Sequence, residues 1–151
     1  MTDTERAYIA GFLDGDGSII LQIVRRKDYV LGFQIRASIC FYQKATGLLV
    51  LEWIKRRLVH GYIRRRGEMA DYTIVGLGRV LGVLHEVGPF IVLKAKHAEL
   101  ARQIIDEARE IDGYSRLLSV ARQIDVFATL NYSKTRRITT ESVKRHIGRA
   151  D

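Results

Sequence analysis

Residues 31–43, LGFQIRASICFYQ, alternate between apolar and polar. As an extended chain they place Phe33, Ile35, Ala37, Ile39 and Phe41 on one face and Gln34, Arg36, Ser38 and Cys40 on the other. Such a strand has to be covered on its first face and left open on its second. Residues 17–27, GSIILQIVRRK, repeat the pattern with Ile19, Leu21 and Ile23 inward and Gln22 outward, and RRKDYV (25–30) reads as the loop joining the two strands. A second hairpin at 61–75, GYIRRRGEMADYTIV, turns around Gly67 and sets Arg64, Arg66, Asp71 and Thr73 at alternate positions.

Helical periodicity fills the remainder, in TGLLVLEWIKRRLV (46–59), LGRVLGVLHEV (77–87), KHAELARQIIDEAREI (96–111) and SRLLSVARQIDVFATL (115–130). The order helix, hairpin, helix, hairpin, helices predicts an α+β fold in one domain over residues 1–151, with helices covering one face of a twisted antiparallel sheet. The other face carries Gln22, Gln34, Arg36, Arg64 and Arg66, and is polar and basic. Lys and Arg number 25 against 17 acids, a net charge of +8, which favours a polyanionic partner such as nucleic acid. An ordinary solvated face would satisfy the same pattern.

Other chemistry finds little support. One Cys excludes an internal disulfide, and His60, His85, His97 and His146 lack zinc-ligand spacing. GLGRVLG (76–82) has the wrong spacing for a dinucleotide fingerprint. No apolar run approaches a membrane span and MTDTERAY has no secretory pattern, so an intracellular protein with no membrane partner is expected.

Residues 7–19, AYIAGFLDGDGSI, change abruptly from apolar helix to Asp and Gly. Thr2 and Glu5 suit a capping box, the helix is expected to run to about Asp14, and Gly15 or Gly17 would stop it. Ala7, Gly11 and Gly15 recur every fourth residue, leaving a face that a second helix can approach closely. No second copy of the run exists in the chain, so the matching partner is the same helix of another subunit, with Ala7, Ala10 and Gly11 as the candidate dimer interface. A twofold axis there brings two Asp16 carboxylates together at helix C-termini, where they repel unless a cation lies between them. Mg²⁺ suits the position, because it takes one or two carboxylates and keeps places for water and phosphate oxygens. Asp-Gly is also a common turn pair, and the stretch alone is compatible with nothing more than a turn.

IAGFLDGDGSI (9–19) resembles the signature of the LAGLIDADG homing endonucleases, and its single copy is similar to their homodimeric branch. The resemblance extends over nearly the whole chain, through FYQK (41–44), GYIRRRGEMADY (61–72), GPFIVLKAKHAEL (88–100) and TLNYSKTRRITTESV (129–143). It implies an αββαββα core whose sheet is a saddle for double-stranded DNA, with further C-terminal helices. It also implies an intron-encoded, Mg²⁺-dependent homodimer that cuts both strands of a long pseudo-palindromic site to leave short 3′ overhangs, Mn²⁺ or Ca²⁺ being alternative occupants of the metal site.

Residue by residue, the resemblance makes Asp16 the catalytic acid and metal ligand and gives the Gly15 carbonyl a part in holding the metal. Gln43 and Lys94 match the residues that position water and stabilise charge on the phosphate. The implied DNA contacts are Gln22, Arg26, Asp28, Tyr29, Gln34, Arg36, Ser38, Cys40, Arg64, Arg66, Asp71 and Thr73, Arg suiting guanine and Gln adenine. Ser133, Lys134, Arg136 and Arg137 match a phosphate-touching segment. Gly47 stands where members often carry a further basic residue, and Ile138 replaces a polar phosphate contact. The alternative on the same fold is a catalytically inactive DNA-binding regulator or an RNA-binding splicing helper (maturase), RNA being the less favoured partner.

Overall fold

Thr2 starts the first helix in the computed structural model, which describes residues 1–131 and 138–150. Thr2 Oγ1 accepts from the Glu5 amide at 3.1 Å and Glu5 Oε2 from the Thr2 amide at 3.0 Å, closing the expected capping box ahead of α1 (Asp3–Asp16). The helix runs two residues past the expected end and stops at an extended Gly17 (φ −135°). No side chain fits at this position: a methyl group on Gly17 would lie 2.6 Å from Leu13 Cδ1 and 3.0 Å from the Cys40 carbonyl oxygen. The α1–β1 junction therefore presses directly against the second strand.

Strands β1 (Gly17–Arg25), β2 (Phe33–Lys44), β3 (Tyr62–Arg66) and β4 (Met69–Val75) form one sheet in the order β1-β2-β4-β3. Helices α2 (Leu48–Leu58) and α3 (Leu77–Val87) follow the two hairpins, and α4 (Ala95–Ala108), α5 (Tyr114–Ala128) and α6 (Thr140–Ala150) complete the chain. This is the α+β architecture with helix-covered sheet that alternation requires. Gly67 turns the second hairpin at φ +58°, and β4 pairs antiparallel with both β2 and β3. None of the described helices is long and apolar enough to cross a membrane.

The chain forms two compact units. The first comprises Met1–Ile20 and Ala37–Glu99. Its core takes Ile9, Ala10 and Leu13 from α1, Ile39 and Phe41 from β2, Leu51 and Ile54 from α2, and Val80 and Leu84 from α3, all fully buried. Tyr72 stacks on Phe41 inside this core and its hydroxyl donates to the His60 carbonyl, which satisfies the one polar atom it buries. The second unit comprises Leu21–Arg36 and the described residues from Leu100 onward. Leu117, Ala121, Ile124 and Phe127 of α5 are buried there, and Phe33 meets His146 of α6 edge to face.

Helix α6 is one of the further C-terminal helices that the resemblance implies, although helical periodicity alone did not mark it. Its start is tied down from a distance, since the Thr140 amide donates to Asp125 Oδ2 on α5 at 3.2 Å. Val143 is its completely buried anchor.

Candidate functional site

Asp14 and Asp16 lie two residues apart, and their surroundings separate them. Asp14 accepts three backbone N–H groups, those of Val92 at 2.8 Å, Leu93 at 3.0 Å and Lys94 at 2.9 Å. Burial pushes this carboxyl up, but the three amides and the nearby Lys94 ammonium outweigh it and hold Asp14 below the usual carboxylate range. Lys94 Nζ returns the contact, donating to the Asp14 carbonyl oxygen at 2.5 Å. The segment after the GPF turn is thus fastened to the end of α1, with the Lys94 ammonium next to the last helical turn.

Asp16 is exposed and makes no hydrogen bond or ion pair among the described residues. It sits where the α1 dipole is negative and where the final carbonyls, Gly15 among them, lack partners within the helix. A lone carboxylate beside such carbonyls is an oxygen-only donor set that fits a hard divalent cation. Among the described residues no three His, Cys, Asp or Glu gather as a metal site.

Gln43 lies at the end of β2, three residues beyond the Cys40 carbonyl that abuts Gly17. Period two puts it with Phe41 on the helix-covered face, opposite in parity to Cys40, Tyr42 and Lys44. Gln43 Oε1 accepts from the Lys44 amide at 2.8 Å, leaving the carboxamide NH₂ free to donate. A methyl group on Gly47 would lie 2.7 Å from Gln43 Cγ, so this conformation suits a glycine at that position.

On the open face of the first unit, cross-strand register aligns Arg64 with Asp71 and Asp71 with Tyr42, and Tyr62 with Thr73 and Thr73 with Cys40. Arg64 and Arg66 are exposed as expected. Ser38, Cys40 and Thr73 lie deeper than alternation alone suggests, 6%, 8% and 4% exposed among longer neighbours on adjacent strands. Asp71 is nearly buried as well. Its Oδ2 accepts from Thr73 Oγ1 at 2.9 Å and faces Arg64 Nε at 3.5 Å, while Cys40 Sγ lies 3.4 Å from Thr73 Oγ1. These residues are the support beneath Arg64, which also stacks on Tyr62 at 5.2 Å.

Sequence reading missed Tyr42, Lys44 and Tyr62 on this face, although parity in FYQK (41–44) already assigned the first two to it. Burial, with Cys40 beside it, pushes the Tyr42 hydroxyl above its ordinary range.

In the second unit Gln22 and Arg36 are exposed. Arg26, Asp28, Tyr29 and Gln34 form one cluster: Arg26 clamps Asp28 through Nε at 2.8 Å and Nη2 at 2.6 Å, reaches Gln34 Oε1 at 3.1 Å and lies over the Tyr29 ring. Ser133, Lys134, Arg136 and Arg137 lie outside the described residues.

The candidate dimer face of α1 needs one correction. Ala7 and Gly11 are exposed, and methyl groups added to Gly11 or Gly15 would meet nothing within 4 Å. Ala10 is completely buried, because it shares the inward face of the helix with Ile9 and Leu13.

Comparison with known proteins agrees with this geometry. The family model described as LAGLIDADG endonuclease matches residues 9–83. DNA endonuclease I-CreI of Chlamydomonas reinhardtii is 35% identical over 138 residues, covering 91% of this chain and 85% of that protein. DNA endonuclease I-CvuI of Chlorella vulgaris is 34% identical over 139 residues, 91% of this chain and 86% of its own. The crystal structure of I-CvuI in complex with its target in the presence of calcium superposes with a TM-score of 0.90 at 33% identity, over 97% of this chain and 94% of that one. The archaeal intron-encoded endonuclease I-Vdi141I bound to DNA shares the fold at 19% identity and a TM-score of 0.83. With a third of the aligned positions identical over nine tenths of its length, the chain belongs to the LAGLIDADG endonuclease family.

Proposed function

We propose that the protein is a site-specific homing endonuclease that acts as a homodimer on double-stranded DNA, with one Asp16 from each copy at the centre. The exposed Asp16 carboxylate at the end of α1, without a partner among the described residues, carries this reading. The relatives named as DNA endonucleases, and the structure of one of them with its target, support it.

The dimer reading rests on the face of α1 left without bulk at Ala7, Gly11 and Gly15. Beside it Tyr8, Leu49, Val50 and Trp53 line an apolar groove of about 480 Å³, and Leu49, Val92 and Leu93 are each more than 70% exposed. A second copy would cover this surface and supply the second carboxylate.

Asp16 and the Gly15 carbonyl would hold a divalent cation, with Mg²⁺ the natural choice for an oxygen site that shares its shell with water and phosphate. When bound, the cation supplies Lewis-acid stabilisation of charge on the phosphate. The free NH₂ of Gln43 donates to a phosphate oxygen or orients the attacking water. Lys94, held by its contact with Asp14, places a positive charge where the pentacovalent phosphate gathers negative charge. Arg64 and Arg66 in the first unit and Gln22, Gln34 and Arg36 in the second supply contacts in the major groove.

Incubation with a pool of randomised and genomic duplexes in Mg²⁺, followed by sequencing of the ends, tests this. One preferred site with staggered ends, lost in EDTA, is the expected result. Sequence-selective binding without cutting would replace it with the regulator or splicing-helper reading.

A further inference from the structure

Arg26 is the residue a reader of sequence would assign to guanine, yet its guanidinium is already engaged. The Nε and Nη2 edge, the fork that would grip two acceptors, is closed by both oxygens of Asp28 at 2.8 and 2.6 Å. Its face rests on the Tyr29 ring at 5.2 Å. The loop that carries it is tied by main-chain bonds from Arg26 N to Gly32 O at 2.9 Å and from Gly32 N to Tyr29 O at 2.9 Å. Asp28 neutralises the charge, and the pair holds each other in the ionised state, Asp28 below and Arg26 above their usual ranges.

Of the N–H groups that remain on Arg26, one on Nη1 donates to Gln34 Oε1 at 3.1 Å. A guanidinium has no acceptor, so the oxygen of the Gln34 carboxamide must be the end that faces it, and the NH₂ must face away. Gln34 lies between buried Phe33 and Ile35 on β2, on the polar side of the strand. A free glutamine reads adenine with both ends, accepting from N6 and donating to N7. A glutamine whose oxygen is turned toward Arg26 points its NH₂ donors away from that contact, and these match the adjacent N7 and O6 acceptors of guanine, while the N6 amino group of adenine is left only the second lone pair of an oxygen aimed elsewhere.

We propose that Arg26 is a positioning residue: clamped by Asp28, it locks the Gln34 carboxamide so that this chain reads guanine, not adenine, at the base pair beneath Gln34. The inference rests on the DNA-binding reading above and names one base preference of that same surface.

Binding selection from a randomised duplex pool tests it with four proteins: the parent chain, Gln34→Ala, Arg26→Ala and Asp28→Asn, each checked for an unchanged thermal melt. Gln34→Ala is expected to flatten one base pair per half-site and so mark the position, where the parent prefers guanine. Arg26→Ala shifts that same pair toward adenine, changing the guanine-to-adenine ratio by about tenfold, and Asp28→Asn shifts it the same way by less. An adenine preference in the parent overturns the inference. So does an Arg26→Ala profile that flattens a different pair and leaves this one intact, because Arg26 would then be the reader. Loss of preference at every position in the parent overturns the DNA-site reading itself and the inference with it.

Discussion

Asp14 and Lys94 hold each other at both ends of one contact: the Asp14 carboxylate accepts the Lys94 amide at 2.9 Å, and the Lys94 ammonium donates to the Asp14 carbonyl at 2.5 Å. The acid that looks closest to a second catalytic group is therefore a backbone clasp. It delivers the lysine to the end of the helix that presents Asp16.

Replacing Asp14 with Asn leaves a neutral acceptor for three amides, and a loss of roughly 2 kcal/mol is expected for bonds to a charged group. The loss depends on pH in a definite direction. The folded-state pKa of Asp14 is depressed, so its contribution is complete above the unfolded value of about 3.9 and disappears as pH falls through the lower folded value. Urea midpoints of the parent and Asp14→Asn are expected to differ fully at pH 7 and to converge below pH 4. An equal gap at both pH values would show that the clasp does not depend on charge.

The support beneath Arg64 predicts a split between affinity and specificity. Asp71→Ala removes the acceptor for Thr73 and the restraint on Arg64, and takes a negative charge off the face proposed to meet DNA. Affinity for random duplex should stay level or rise, while the ratio of target to random binding falls several-fold. Competition binding at fixed salt measures both, and a parallel fall in the two would refute the supporting role.

How much of this was legible in sequence depends on what each signal encodes. Thr2 with Glu5 encodes a cap in four residues, and the cap forms. Alternation encodes the face of a residue and not its depth, which is why Ser38, Cys40 and Thr73 fall on the polar side and are still buried. The spacing of small residues marks the open stripe of α1 at Ala7 and Gly11, but Ala10 follows Ile9 and Leu13 inward, a choice made by tertiary packing. Helix α6 has its start held by Asp125 from another helix, and its local signal is the pair Thr139 and Ser142, whose Ser142 Oγ accepts from the Thr139 amide at 3.2 Å. The partners of Asp14 lie 78 to 80 residues away, beyond any pattern in the motif.

Val59 offers a test of stability apart from function. It follows α2 at φ +71°, ψ −43°, closed by a bond from His60 N to Leu58 O at 2.8 Å, a tight turn that strains a β-branched residue. Its side chain is 71% exposed and contributes little packing. Val59→Gly is expected to raise stability by about 1 kcal/mol in thermal or urea unfolding; a destabilised variant would mean that the turn carries no strain.

The central claim is that Asp16, and not Asp14, performs the chemistry. The most direct measurement is the rate of double-strand cleavage of the selected target in Mg²⁺ by Asp16→Asn, alongside its thermal stability and binding to the same duplex. The account predicts a loss of at least a thousandfold in rate, on the order of a 4 kcal/mol rise in barrier, with folding and target binding retained because Asp16 is exposed and has no partner among the described residues. Full metal-dependent cleavage by Asp16→Asn would contradict it.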